Sequence, residues 1–182
     1  MALTESTMVK LGSKAPYFNL PNTDGENISL EHFKAEILVV IFTCNHCPYA
    51  KAVEDRLIEL GNKYSDTVDF VLISSNDAEN YPADSPEKMA EQARNKGYPF
   101  PYLFDETQEV AKSYDAACTP DFFVFDHNHK LVYRGQLDDS RPGNDIPLTG
   151  KDIKEVFDSI LNSRTISTHQ KPSIGCNIKW KN

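Results

Sequence analysis

Every position of Ile37-Leu38-Val39-Val40-Ile41-Phe42 is apolar, which predicts a central strand covered on both faces rather than one with a solvated side. Behind it, from Pro48 to about Tyr64, residues Ala52, Val53, Leu57, Ile58, Leu60 and Tyr64 recur near helical spacing, and Gly61 falls close to the end. Val68 to Ser74 is a second apolar run. A helix joins the two strands, so they are expected to be parallel and to open a right-handed β-α-β unit.

The remaining pattern fills in around this unit. Lys10 to Pro21 is extended, and Asp24-Gly25 reads as a turn between two short strands. Asn76 to Pro86 is polar and aperiodic, a surface loop. Ser85 caps a helix with Pro86 in its first turn, running to about Lys96 and stopping at Gly97. A short strand follows at Tyr102-Leu103-Phe104, then a helix from Glu106 to Tyr114. Asp121–Asp126 and Leu131–Gly135 flank His127-Asn128-His129-Lys130 and predict an antiparallel hairpin, with both histidines as turn residues. Asp152 to Leu161 puts Ile153, Val156, Phe157, Ile160 and Leu161 on one helical face. The tail, about 163–182, has no periodic pattern and is read as irregular, with Trp180 anchoring it to the body. The fold class is α/β: a central mixed sheet flanked by helices, with an N-terminal β-hairpin extension.

At 182 residues the chain is expected to be one domain spanning 1–182, large enough to bury a core without crosslinks. Its net charge of −8 argues against nucleic acid and anionic membranes as partners. No run approaches the span of a bilayer and the opening residues carry no leader pattern, so a cytoplasmic location is expected. No glycine-rich phosphate loop calls for an organic cofactor. In a reducing compartment a Cys-x-x-Cys pair is catalytic or metal-binding rather than a permanent crosslink.

That pair is Cys44-Asn45-His46-Cys47, directly behind the first strand and ahead of the helix. A helix start presents unpaired N–H groups and the positive end of the helix dipole, which favour a thiolate. Cys44 is therefore the expected nucleophile. Cys47, about one helical turn on, should project to the same side and close a small disulfide ring. Asn45 and His46 are expected to tune the pair: a histidinium beside Cys44 would stabilise its thiolate and make the disulfide more oxidising.

The Cys-x-x-Cys at the first strand-to-helix turn, Thr119-Pro120 directly ahead of a hairpin, and the final helix together resemble the thioredoxin fold. More narrowly, Thr43-Cys44-Asn45-His46-Cys47-Pro48-Tyr49, Ala117-Cys118-Thr119-Pro120-Asp121 and Gly175-Cys176-Asn177-Ile178-Lys179-Trp180 resemble a bacterial-type thioredoxin-family group. That group is related to peroxiredoxin-like, AhpC/TSA-type proteins. The resemblance implies a thiol–disulfide oxidoreductase in which Cys44 attacks, Cys47 resolves, Pro120 is cis and Thr119 contacts substrate. It also implies disulfide-containing proteins or low-molecular-weight thiols as substrates and a cellular thiol as reductant.

The chain departs from its relatives in places. Thr43 stands where thioredoxins commonly carry tryptophan, and the preceding strand has no acid, so no proton acceptor for Cys47 is evident. The threonine and arginine that peroxiredoxins use beside their peroxide-reducing cysteine have no counterparts at the expected places, which makes a Cys44 peroxidase the alternative reading. A metal site using Cys44 and Cys47 is a second alternative, although structural zinc usually needs two close pairs and one is present, so no metal is expected. Cys118, beside the proline loop, and Cys176, carried back by the tail, form a possible second redox pair.

Overall fold

The computed structural model describes residues 3–182. Strands β1 (Leu3–Glu5), β2 (Asn19–Pro21), β3 (Asn27–Ser29) and β4 (Ile37–Phe42) precede helix α1 (Pro48–Lys63). After it come β5 (Val68–Ser74), α2 (Pro86–Lys96), β6 (Tyr102–Phe104), α3 (Glu109–Ser113) and β7 (Cys118–Thr119). The chain then continues through β8 (Asp121–Asp126), β9 (Leu131–Gly135), α4 (Lys151–Leu161) and β10 (Ile174–Asn177).

The main sheet has the order β6-β5-β4-β8-β9, so the wholly apolar β4 is its middle strand, parallel to β5 and antiparallel to β8. Alternation along β4 divides the core. Ile37, Val39 and Ile41 pack with Val53, Leu57 and Leu60 of α1 and with Ile153, Val156 and Phe157 of α4. Leu38, Val40 and Phe42 face the opposite layer with Phe18, Leu30, Phe33, Ala111 and Tyr114. Each fully buried aliphatic or aromatic side chain here contributes about 1.5–3 kcal/mol of transfer free energy, which holds the end of β4, and hence the first cysteine, in a fixed place. The fold is thioredoxin-like, with the Asp24-Gly25 turn joining β2 to β3 as the sequence predicts.

Two expectations need correction. The helix expected from Glu106 begins only at Glu109, because Gln108 takes a left-handed conformation (φ 65°) and the buried Asp105 carboxylate accepts the Ala111 N–H at 2.9 Å. The tail is not irregular throughout. Its β10 pairs antiparallel with β1 on one side and β7 on the other, forming a second sheet in the order β1-β10-β7. Gly175 permits this: a Cβ there would lie 2.0 Å from the Thr119 carbonyl oxygen. Trp180 is 41% exposed, with the Lys112 ammonium 5.9 Å from its ring centroid, so its indole rests on the surface rather than in the core.

Candidate active site

β4 delivers Thr43 and Cys44 to the edge of the core, and the Thr43 N–H donates to the Ile73 carbonyl at 2.9 Å, extending the β4–β5 pairing to the mouth of the site. The chain then turns, and Cys47 itself is the residue that caps α1, with Pro48 at the first helical position. The intervening turn is fastened by Asp84, a fully buried residue on a 3₁₀ turn in the otherwise polar 76–86 loop. Asp84 Oδ1 accepts the backbone N–H of Asn45 at 2.7 Å and of His46 at 3.2 Å. Its Oδ2 meets His46 Nδ1 at 2.5 Å and accepts from Asn76 Nδ2 at 2.9 Å. Asn45 is held from the other side, donating to the Ala83 carbonyl and accepting from the Tyr102 hydroxyl at 3.0 Å. His46 stacks on Tyr81, ring centroids 5.4 Å apart. A buried carboxylate needs such a full set of donors, and here the backbone N–H groups among them come from the turn just ahead of the helix, not from the helix start itself.

Cys44, Cys47, Ala50 and Cys176 form one buried cluster at the start of α1, with Tyr49 packed against it. Cys44 and Cys47 are free thiols packed together in that cluster, and each acts on the other's ionisation. That contact makes them one acid with two protons, because the remaining S–H stabilises the first thiolate. With the charge on Cys47, its thiol falls to about 4 through the Cys44 hydrogen bond, while the same bond, burial and the Asp84 charge push Cys44 upward. Moving the shared proton across the contact puts the charge on Cys44; the Thr119 hydroxyl favours a thiolate on either sulfur, and its carbonyl opposes one on Cys47. The Thr119 carbonyl oxygen lies 3.3 Å from Cys47 Sγ and can accept only from an S–H, whereas its hydroxyl lies 3.6 Å from Cys44 Sγ and can donate. Cys44 is also the residue with residual exposure, 5% against none for Cys47. The Thr119-Pro120 bond is cis, as the resemblance implies.

The other two cysteines separate. In the β7–β10 pair Cys176 lies opposite Thr119 and Cys118 opposite Asn177, so the two thiols point to opposite faces. Cys176 joins the active pair in the same buried cluster, and Cys47 is one of the groups acting on its thiol. Cys118 donates to the Pro120 carbonyl at 3.6 Å, and burial, then the Asp121 charge, push its thiol up. Asp121 is itself buried and pushed up to about 7. Among the described residues, the ligand atoms of Cys44, His46 and Asp84 lie within 4.8 Å of one another and could hold an ion. Both Asp84 oxygens are already taken by the donors that fasten the turn, so a metal would have to break that frame.

Residues 11–134, which carry β4, the cysteine pair, the cis-proline and the hairpin, match the AhpC/TSA family. The chain belongs to the AhpC/TSA family. Peroxiredoxin Bcp of Escherichia coli is 26% identical over 157 residues, covering 85% of this chain and 89% of its own. An uncharacterized conserved protein from Geobacillus kaustophilus is 56% identical with a TM-score of 0.97, over 100% of this chain and 97% of that one. A thiol-disulfide oxidoreductase from Bacteroides fragilis shares the fold at 23% identity and a TM-score of 0.59, over 79% and 99% of the two chains. These relatives assign an oxidoreductase character to the AhpC/TSA chain. No helix among its described residues is long and apolar enough to cross a membrane.

Sequence reasoning did not find Asp84 in this AhpC/TSA protein, nor the placement of Cys176 against Cys47. The signal for Asp84 was slight: an acid between Pro82 and Ser85 looks like any surface turn. His46 proved to be a hydrogen-bond partner of Asp84, its ring nitrogen facing the carboxylate.

Proposed function

We propose that this protein is a thiol–disulfide oxidoreductase in which the Cys44 thiolate attacks a substrate disulfide and Cys47 resolves the resulting mixed disulfide. One sulfur of the substrate bonds to Cys44 and the other leaves as a thiolate. The Cys47 sulfur then displaces the bound half, leaving a Cys44–Cys47 disulfide that a cellular thiol reduces. The observation that supports this reading is the buried, mutually packed pair of thiols with Thr119 set against both. The substrate best suited is a low-molecular-weight disulfide. An extended polypeptide would bind by adding a strand at Thr119, and β10 already occupies that place with Cys176 beside the sulfurs.

Peroxide reduction at Cys44 is the second reading, favoured by the family match and by the similarity to Bcp. It is weakened by the charge around the sulfur: the groups acting most strongly on Cys44 include the Asp84 carboxylate and no cation. Peroxide cleavage leaves a developing oxyanion that a carboxylate opposes. The two readings separate when reduced protein is mixed with glutathione disulfide in one arm and hydrogen peroxide in the other, and Cys44–Cys47 disulfide is followed by mass spectrometry. Faster closure with the disulfide supports the exchange reading. Faster closure with peroxide, at equal concentration, assigns the peroxidase.

A further inference from the structure

Three thiols, not two, share the buried cluster at the start of α1, and both of the others act on the ionisation of Cys47. The third comes from the C-terminal strand, held in one register by pairing on both edges. Leu3 lies opposite Cys176 on one side and Thr119 on the other, and the Ile178 N–H donates to the Ala117 carbonyl at 3.1 Å. Gly175 lets this strand approach the Thr119 carbonyl, the same oxygen that Cys47 Sγ faces. The tail beyond is tied to the turn between the cysteines: the Lys179 N–H donates to Asn76 Oδ1, and Asn76 Nδ2 donates to Asp84. Burial, then Cys47, push the Cys176 thiol up to about 12 while the Lys179 ammonium acts in the opposite sense; once Cys47 is in a disulfide its own upward push is gone. A sulfur fixed this firmly beside the resolving sulfur has an effective concentration far above that of any dissolved thiol.

We propose that Cys176 is a third redox thiol of the site, which takes the disulfide over from Cys44. This rests on the exchange reading above, which supplies the Cys44–Cys47 disulfide. The Cys176 thiolate attacks Cys47 Sγ. The Cys47–Cys176 bond forms as the Cys44–Cys47 bond breaks, and Cys44 leaves as a thiolate. The proton given up by Cys176 balances the one Cys44 can take. One disulfide and one thiol are present before and after, so the step needs no oxidant or reductant of its own. Its consequence is that Cys44 is set free while the oxidising equivalent waits on Cys47 and Cys176, with the tail covalently fastened to the site.

The test is a disulfide map of the full-length protein oxidised with diamide, quenched with N-ethylmaleimide before unfolding, and digested with trypsin. Cys44 and Cys47 share the peptide Ala35–Lys51, and Cys176 lies in Thr165–Lys179, so an internal loop and a cross-link are told apart by mass. The expected result is an early Ala35–Lys51 loop that gives way in part to an Ala35–Lys51/Thr165–Lys179 cross-link at constant disulfide number. In Cys44→Ser the cross-link should become the main product, and in Cys176→Ser it should be lost while the loop remains. A wild-type loop without cross-link, together with no cross-link in Cys44→Ser, overturns the proposal and leaves the exchange reading standing. Neither loop nor cross-link in the wild type overturns both.

Discussion

Asp84 Oδ1 takes the backbone N–H of Asn45 at 2.7 Å, so the turn between the two cysteines is organised around a buried negative charge. That charge raises the cost of a thiolate on Cys44. The site is therefore tempered by a group from a distant loop rather than by the helix start alone.

Replacing the carboxylate by an amide should ease ionisation at Cys44. In Asp84→Asn the pH midpoint for alkylation of Cys44 by iodoacetamide should fall by about one unit, and the reduction potential of the Cys44–Cys47 disulfide should rise with it. Peptide-resolved alkylation across pH, with equilibration in glutathione buffers, measures both. An unchanged midpoint would mean that Asp84 only holds the turn.

Gly175→Ala would place a Cβ at 2.0 Å from the Thr119 carbonyl, so β10 must lift off β7. The expected loss is at least about 2 kcal/mol of unfolding free energy in a denaturant titration. Alkylation of Cys176 in the native protein should become faster at the same time, because its burial depends on that strand.

Burial holds Asp121 near 7, well above its usual 3.8. The folded state therefore binds a proton that the unfolded state has released between those values. This stabilising contribution is complete below the unfolded value and is lost as pH rises through the folded one. Asp121→Asn does not titrate, so relative to it the wild type should lose up to about 4 kcal/mol of stability between about pH 4 and pH 8. Urea titrations at both pH values check the sign and the size.

How much of this was legible beforehand follows from where each interaction lies along the chain. The apolar run of β4 and the spacing of Val53, Leu57 and Leu60 in α1 are local patterns, and they lead directly to the central strand, its helix and the cysteine pair between them. Thr119 and Pro120 were found because a short motif marks them. Asp84 was hidden because its donors, Asn45 and His46, lie 39 and 38 residues away and a lone acid in a polar loop carries no periodic signal. Ile174-Gly175-Cys176-Asn177 is too short to show alternation, and its partners come from the first residues of the chain and from β7. The face to which Cys176 turns is decided by that register alone.

The division of labour between the two active sulfurs is tested most directly in Cys47→Ser treated with glutathione disulfide and mapped without reduction. The account predicts a stable glutathione adduct on Cys44, formed faster as pH rises through the ionisation of the Cys44 thiol. A protein that leaves Cys44 unmodified, or carries the adduct on Cys118 or Cys176 instead, would contradict it.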